Sequence, residues 1–450
     1  MMQATITVDF SLPAGKSVRP LHGFNSGPMT KVFTYDARPL FIEGGFPYVR
    51  LHDVEYPYGS GEFVDIPCIF KNFDADENDP ASYNFALTDE YIRQCLQVGS
   101  KIIYRLGVSI EHAPVKRYTF PPADFSKWAR ICEHIIRHYN EGWANGHHWN
   151  IEYWEIWNEA ELGNKTWFGT HEQFCDMYVT AARHLKQCFP HLKIGGCGWV
   201  HACDEYVEGF LRYISSLQEP VPYDFHSWHL YADDASAFVA DAAAAREVLH
   251  RYGFANAESI LDEWNLMYGW DRPRQAESYR AMKDHRGAAF YAAVLCALQE
   301  NTDVSIATNF ESDVVKEFCG VFNVRDMCIS SLAAGNDDHA VLEPTKGFYA
   351  FKWFNWLYCM GQSVKTGCDT VGVFASAAAN ETDFGLLLSN QTGEQINLTL
   401  VMHGAHGKAT LRLTDATHTD AQLAAFCING DQLLQLELTP DALLWLGTCE

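Results

Sequence analysis

Two glutamates at the ends of strand-like segments are the residues of this chain best suited to chemistry. Glu159 closes the segment 151–159, Ile-Glu-Tyr-Trp-Glu-Ile-Trp-Asn-Glu, and Glu263 lies in the segment 259–265, Ser-Ile-Leu-Asp-Glu-Trp-Asn. Cleavage of a glycosidic bond needs two carboxyl groups, one to protonate the leaving oxygen and one to meet the positive charge that develops at the sugar carbon. One such glutamate could simply end a strand in solvent or pair with an arginine. Two on separate strands of one scaffold can converge on one substrate.

The rest of the chain supplies a scaffold that would bring the two glutamates together. Short apolar segments alternate with amphipathic helical ones. The strand candidates are 20–25, 47–52, 101–107, 150–159, 192–198, 223–231, 259–265 and 304–310. Helical spacing is found near 31–43 and at 88–98, 125–143, 170–189, 203–218, 235–252, 278–300 and 345–360. Eight strands that are each followed by a helix predict an α/β fold, the (β/α)8 TIM barrel, whose active site lies where the strands end.

Every residue chosen on chemical grounds falls at that one face of the predicted barrel. Glu159 ends the fourth predicted strand and Glu263 ends the seventh. His52 ends the second, and His229 and Tyr231 end the sixth. The agreement between chemistry and position favours an enzyme active site over isolated strand ends.

A second, smaller domain follows the barrel. The length of 450 residues exceeds what one hydrophobic core usually supports. After about residue 362 the helical spacing stops, and short strands are separated by Gly, Asn and Asp. We therefore expect a catalytic barrel over 14–361 and an antiparallel β-sandwich over 362–450, joined by the alternating N-terminal strand 1–13.

Composition excludes several classes of partner. A formal net charge of −24 argues against nucleic acid, because phosphate binding depends on clustered Lys and Arg. The start of the chain lacks the pattern of a signal peptide, and no segment has the roughly 18–20 apolar residues of a membrane span. These features predict a cytoplasmic protein without membrane contact, and a homo-oligomer is compatible with them. An oligosaccharide or glycoside is the expected substrate.

Neither the cysteines nor the histidines have the spacing of a metal site. The 14 cysteines include no Cys-x-x-Cys, and Cys95, Cys132, Cys296 and Cys359 lie in apolar patterns typical of small buried side chains. The 19 histidines include no His-x-x-x-His, and His147-His148 precede a strand rather than ending one. We expect no metal, no disulfide and no cofactor.

Four motifs in order resemble glycoside hydrolase family 39, which includes β-xylosidases and α-L-iduronidases. They are Tyr-Val-Arg-Leu-His-Asp (48–53), Trp-Glu-Ile-Trp-Asn-Glu (154–159), Asp-Phe-His-Ser-Trp-His-Leu-Tyr (224–231) and Asp-Glu-Trp-Asn (262–265). The match extends from Gly23 to the segment 346–355. The resemblance implies that Glu159 is the acid/base and Glu263 the nucleophile. It also implies that Asn158 binds the sugar 2-hydroxyl and that His52, His229 and Tyr231 line the glycone pocket.

Chemistry supports two of these assignments without the family. Asn158, beside the predicted acid/base, offers an amide donor whose bond to a sugar hydroxyl strengthens as charge develops, although an asparagine here could also simply form a turn. Tyr231 can donate to the nucleophile and keep it ionised while Glu159 stays protonated. His52 and His229 could instead be structural histidines.

Departures from the family pattern lie after the eighth predicted strand. Xylosidases of this family usually carry Trp there, and later a Glu-Glu pair. The alignment on Ser312-Asp313 puts Asn309 at the Trp position and Lys316-Glu317 at the pair. The aromatic platform is then lost unless Phe310 substitutes for it, and Lys316 either contacts the sugar or lies in solvent. Asp53 also stands where glycine is common.

The sequence therefore predicts a retaining exo-glycosidase of β-xylosidase type that hydrolyses short oligosaccharides through two glutamates. One alternative is a related barrel glycosidase with another glycone preference, such as an α-L-arabinosidase or a uronidase. A less favoured alternative is a non-catalytic carbohydrate-binding barrel.

Overall fold

The computed structural model describes residues 2–28, 30–31, 35–54, 63–312, 318, 320–326 and 341–449. The strands, in chain order, are β1 (Met2–Ser17), β2 (Gly23–Asn25), β3 (Thr30–Lys31), β4 (Tyr35–Asp36), β5 (Tyr48–Leu51), β6 (Lys101–Leu106), β7 (Tyr153–Ile156), β8 (Lys193–Trp199), β9 (Phe225–Ala232), β10 (Glu258–Leu266), β11 (Val304–Asn309), β12 (Phe322–Asp326), β13 (Val341–Pro344), β14 (Gln362–Cys368), β15 (Val373–Ala379), β16 (Phe384–Asn390), β17 (Ile396–Thr414), β18 (Ala421–Leu438) and β19 (Ala442–Gly447).

The helices described are α1 (Arg38–Gly44), α2 (Ile66–Ile69), α3 (Ala86–Gln97), α4 (Phe125–Glu141), α5 (His171–Cys188), α6 (Glu205–Ser216), α7 (Ala235–Arg251), α8 (Arg272–Ala281), α9 (His285–Asn301) and α10 (Phe348–Met360). None of them is both long and apolar enough to cross a lipid bilayer.

Eight parallel strands form a closed barrel, as the sequence predicts. The strand order around the barrel is β2, β5, β6, β7, β8, β9, β10, β11, after which β11 pairs with β2. Buried apolar side chains fill the lower interior, namely Tyr48, Ile103, Tyr153, Phe225, Ile260 and Ile306. The layer above them is polar, and it lies beneath the face on which the site is built.

The C-terminal part is an antiparallel β structure, which confirms the predicted fold class. Its strands are β14 to β19, with β1 as a further member. β1 pairs antiparallel with β14 and parallel with β17, so the N-terminal strand lies between two strands from the other end of the chain. Strand β16 rests on α9, where Ser389 Oγ donates to the carbonyl oxygen of Ala289 at 2.7 Å.

Three local predictions differ from the structure. The single helix predicted over 278–300 is two helices, because Asp284 caps the N-terminus of α9 by accepting from the amide of Arg286 and so starts a new helix there. The helix predicted near 31–43 is only α1, which begins beside Pro39 after the short β3–β4 pair. Cys359 is exposed rather than buried.

Candidate active site

Glu159 stands in a turn at the end of β7. The predicted strand 150–159 is shorter in the structure because Trp157 (φ 74°) and Glu159 (φ 48°) adopt left-handed conformations. The amide of Trp157 donates to the Leu106 carbonyl at 2.7 Å, and the amide of Glu159 donates to the Gly198 carbonyl at 2.9 Å. The turn is therefore tied to the strands on both sides, and this anchoring fixes where the Glu159 side chain points.

Gly198 is needed for the approach of three side chains to this turn. Its φ is +56°, and a Cβ atom there would lie 2.8 Å from Arg50 Nη2, 2.9 Å from Asn158 Oδ1 and 3.2 Å from His229 Nε2. Both the backbone conformation and the lack of space require glycine at this position.

The structure brings Glu159 and Glu263 together. A carboxylate oxygen of Glu159, one of Glu263 and a ring nitrogen of His229 all lie within 4.8 Å of one another. His229 Nδ1 is 2.8 Å from Glu159 Oε1 and 3.7 Å from Glu263 Oε2. Tyr231 donates its hydroxyl to Glu263 Oε1 at 2.7 Å. Each glutamate is only 6% exposed, so both act in a largely water-free setting.

Arg50, which the sequence reasoning missed, lies at the centre of the site. The fully buried guanidinium donates from Nη1 to Glu263 Oε2 at 3.1 Å and from Nη2 to Asn158 Oδ1 at 2.6 Å. Its Nε lies 2.8 Å from Glu155 Oε2 and 2.9 Å from Asp262 Oδ2. Arg50 thus orients Asn158 and contacts three carboxyl groups. The sequence does contain a sign that Arg50 faces the site, because Arg50 lies two residues before His52 and so on the same face of the strand.

Three carboxyl groups around one guanidinium, if all were ionised, would leave an excess of negative charge. The pKa values of Glu155 and Asp262 are shifted in opposite directions. Burial raises the pKa of Asp262 well above its ordinary value, and neighbouring Glu155 adds to this while Arg50 opposes it. Burial also acts on Glu155, but Arg50 and hydrogen bonds, one of them from Ser227, outweigh it and lower the pKa of Glu155. These opposite shifts predict that Asp262 holds a proton and Glu155 is ionised.

The two glutamates of the site are also perturbed. Burial, assisted by the charge of Asp53, raises the pKa of Glu159 to about 7, although Arg50 opposes the rise. Burial and the charge of Glu159 raise the pKa of Glu263, whereas His229, Arg50 and the Tyr231 hydrogen bond hold it down. Burial lowers the pKa of His229 to about 4, which makes this imidazole neutral near pH 7. Raised carboxyl pKa values are typical of catalytic acids.

The other predicted site residues differ in what they can offer a ligand. His52 Nδ1 accepts from Arg105 Nε at 3.3 Å, and its Nε2 lies 3.8 Å from Glu263 Oε2. Asn158 Nδ2 is buried and makes no hydrogen bond within the described part of the chain. Asn309 is fully buried, its Nδ2 donates to the Trp264 carbonyl at 2.8 Å, and its Oδ1 makes no hydrogen bond to the residues described. The Phe310 ring lies 6.3 Å from the His52 ring.

Lys316 and Glu317 lie outside the described residues. A cation could in principle sit among Glu159, His229 and Glu263. Arg50, at 3.1 Å from Glu263, already supplies positive charge there, and its charge opposes the binding of a metal ion.

Solved structures share this architecture. A glucosidase from Croceicoccus marinus superposes with a TM-score of 0.78 at 23% identity, covering 99% of both chains. A family 39 enzyme from Xanthomonas axonopodis pv. citri superposes with a TM-score of 0.69 at 16% identity, covering 99% of this chain and 97% of the other. These similarities establish the fold.

Sequence comparisons identify the family. A β-xylosidase from Geobacillus stearothermophilus is 26% identical in an alignment of 201 residues that covers 42% of this chain and 37% of that protein. The matched region thus spans little more than a third of this curated relative. The family model described as glycosyl hydrolases family 39 matches residues 38–380, which include seven of the eight barrel strands and both glutamates. The chain therefore belongs to glycosyl hydrolase family 39.

Proposed function

We propose that this protein is a retaining exo-glycosidase of β-xylosidase type that acts on short oligosaccharides. One observation carries the proposal: carboxylate oxygens of Glu159 and Glu263 lie within 4.8 Å of each other. Retaining glycosidases hold their two carboxyl groups about 5–5.5 Å apart, whereas inverting enzymes need about 6.5–9.5 Å to admit a water molecule between carboxylate and sugar. The short separation supports a double displacement.

In the first step, a carboxylate oxygen of Glu263 bonds to the anomeric carbon, and the leaving oxygen takes the proton of Glu159. Arg50 and Tyr231 stabilise the ionised nucleophile through contacts at 3.1 and 2.7 Å. A pKa of about 7 supports Glu159 as the proton donor, since this carboxyl group stays protonated at a pH where ordinary glutamates are ionised.

In the second step, Glu159 takes a proton from water, whose oxygen bonds to the anomeric carbon and releases Glu263. Glu159 is positioned for both tasks by its anchored turn. Asn158 fits a role at the sugar 2-hydroxyl, because Arg50 occupies its Oδ1 and leaves the buried Nδ2 free to donate. His52, at 3.8 Å from Glu263, and Phe310 beside it would form the adjoining wall.

The xylose preference comes from the β-xylosidase relatives and is the finer part of the proposal. A panel of nitrophenyl xylosides, arabinosides, glucosides and uronides tests it directly. We expect the xyloside to have the highest kcat/KM. The Lys316→Glu variant, which restores the glutamate pair of xylosidases, should change the relative rates if Lys316 contacts the glycone. An identical profile would put Lys316 outside the pocket.

The mechanism is tested by the stereochemistry of the product and by chemical rescue. NMR of the first sugar released should show the anomeric configuration of the substrate, and the opposite anomer would remove Glu263 from the nucleophile role. Glu159→Ala should retain most activity in the first step on aryl glycosides with good leaving groups, and azide should restore turnover with a glycosyl azide of retained configuration. Glu263→Ala should lose orders of magnitude on every substrate.

A matched control is available on the same strand segment. Glu152 is exposed and lies before β7, so Glu152→Ala should leave rates and azide response unchanged. If azide rescues only Glu263→Ala and the product is inverted relative to the substrate, Glu263 is the nucleophile. Glu159 is then not the base that activates water in the second step. If neither catalytic variant loses activity, the proposed function is wrong.

A further inference from the structure

A cluster of two histidines and one aspartate lies between α3 and α4, outside the proposed active site. Asp89 stands in the first turn of α3, His138 in the last turn of α4, and His147 in the segment that follows α4. One ligand-type atom from each residue lies within 4.8 Å of the corresponding atoms of the others. His138 Nε2 is 3.0 Å from Asp89 Oδ1, and His147 Nε2 is 3.4 Å from Asp89 Oδ2.

Both imidazole rings are held in place by aromatic rings stacked on their faces. The His138 ring stacks on Phe85 with centroids 3.6 Å apart and planes 5° apart. The His147 ring stacks on Trp149 with centroids 3.8 Å apart and planes 2° apart. In this packing both Nε2 atoms point at one carboxylate, and the stacking contacts occupy neither of them.

The segment after α4 wraps around His138 and determines which ring nitrogen carries the proton. His138 Nδ1 lies 2.9 Å from the carbonyl oxygen of Trp143, and a carbonyl can only accept, so Nδ1 must be the donor. Gly146 makes this contact accessible, since a Cβ atom there would lie 2.6 Å from His138 Nδ1 and 2.7 Å from the Trp143 carbonyl. Metal-binding histidines are oriented in this way, with the second nitrogen donating to a carbonyl or carboxylate.

A lone pair of His138 then faces the Asp89 carboxylate. A neutral imidazole that donates from Nδ1 has only a lone pair at Nε2, and that of His138 is directed at a carboxylate oxygen 3.0 Å away. This contact is repulsive unless a positive charge lies between the two groups, which is either an additional proton or a metal ion. His147 Nε2 is buried beside the same carboxylate and makes no hydrogen bond within the described part of the chain.

We propose that Asp89, His138 and His147 bind one divalent transition-metal ion of the zinc class, which fastens α3 to α4. Two imidazoles and one carboxylate form a ligand set that zinc accepts, with water in the fourth position. With zinc–ligand bonds of about 2.0–2.1 Å, tetrahedral ligand atoms lie about 3.3–3.4 Å apart. The observed separations are close to that value, at 3.0 Å from His138 Nε2 to Asp89 Oδ1 and 3.4 Å from His147 Nε2 to Asp89 Oδ2, so each imidazole faces its own carboxylate oxygen.

A second cluster, between α4 and α5, is a poorer candidate. Glu133, His184 and Cys188 also bring ligand-type atoms within 4.8 Å of one another. There, however, Arg137 Nε donates to Glu133 Oε1 at 2.8 Å, so the carboxylate is already paired with a positive charge. An ion at that place would have to overcome repulsion from the guanidinium.

The test uses full-length protein freed of metal by a chelator and returned to buffer with zinc chloride alone. We expect one equivalent of Zn2+ to bind, as measured by calorimetry and elemental analysis, and Tm to rise. Magnesium or calcium at the same concentration should do neither, because these ions prefer all-oxygen ligands. His147→Ala should weaken zinc binding at least about tenfold and remove the rise in Tm, since even partners of metal ligands contribute about that much. The neighbouring exposed variant His148→Ala should behave like the wild type.

Cobalt shows which cluster binds the ion, and a second variant tests the site if the first does not fold. The wild-type protein loaded with Co2+ should show d–d bands without a thiolate charge-transfer band. A thiolate band would put the ion at Cys188 and overturn the proposal. Asp89→Asn, which keeps the size of the side chain, replaces His147→Ala if that variant does not fold. A wild-type Tm that zinc does not change would overturn the proposal, and so would zinc binding that survives both substitutions, because the ion would then lie elsewhere.

Discussion

The hydrogen bond from Tyr231 to Glu263 should control the acidic side of the pH profile. Tyr231 donates to Glu263 Oε1 at 2.7 Å, and the nucleophile accepts from Arg50 through its other oxygen. Tyr231→Phe removes only the hydroxyl and leaves the ring against Trp270 and Phe318. The perturbation therefore acts on the charge of Glu263 and hardly on the shape of the site.

The size of the effect follows from the type of hydrogen bond. A hydrogen bond to a charged group contributes about 1.5–3 kcal/mol, and one pKa unit corresponds to about 1.36 kcal/mol. The bond favours the ionised form, so its loss should raise the pKa of Glu263 by about 1–2 units. Because a nucleophile in the role proposed for Glu263 reacts as the carboxylate, the acidic limb of kcat/KM should move to higher pH by the same amount. The alkaline limb, which reports deprotonation of Glu159, should stay in place.

The measurement is the pH dependence of kcat/KM on a nitrophenyl glycoside for wild type and variant. Tyr213→Phe is the matched control, since it removes a hydroxyl that donates to Asp176 on the protein surface at 2.5 Å. The control should reproduce the wild-type profile. If the acidic limb of Tyr231→Phe does not move, or the alkaline limb moves instead, Glu263 is not the group whose ionisation Tyr231 supports.

Three further predictions concern the network around Arg50. Arg50→Lys keeps the charge but cannot hold Asn158 and Glu263 together, so kcat/KM should fall at least about 100-fold, as steady-state kinetics would show. Gly198→Ala places a Cβ atom 2.8 Å from Arg50 in a left-handed conformation. It should lower the free energy of unfolding by about 1–2 kcal/mol in a denaturant titration. The kcat/KM of the protein that remains folded should also fall, because the new Cβ atom displaces Arg50. Asp262→Asn should leave both limbs of the pH profile unchanged, because the asparagine is neutral like the protonated aspartic acid it replaces, and an acid shift of either limb would show that Asp262 is ionised.

The barrel and the positions of the two glutamates could be predicted because both depend on local patterns. Short apolar segments mark the strands, and Glu159 and Glu263 lie at strand ends that meet on one face of the barrel. The left-handed turn at Trp157 and Glu159 could not be predicted, since neither residue favours positive φ and the turn is imposed by the strands on both sides.

The polar layer beneath the glutamates escaped prediction for a different reason. Glu155 and Asp262 lie within the strand segments that were read from the sequence, but each could equally have faced solvent. Only the closed barrel shows that they share one guanidinium. The Asp89 cluster likewise joins three segments without any ligand spacing in the chain, so motif reading predicts no metal there.

The charge balance of the barrel interior links substrate binding to the chemistry. Arg50 is in contact with Glu155, Asp262 and Glu263, and three ionised carboxylates around it would leave a net charge of two negatives in a buried space. A proton on Asp262 removes one of them, and the pKa of Asp262 is raised as this requires. Arg50 then balances Glu155 and Glu263 in part, which leaves Glu263 with enough negative charge to meet a developing cation at the sugar. The same guanidinium orients Asn158 toward the proposed 2-hydroxyl position. The proposed nucleophile and the proposed sugar-binding amide are therefore held by one side chain, and we expect a substitution of Arg50 to affect binding and the chemical step together.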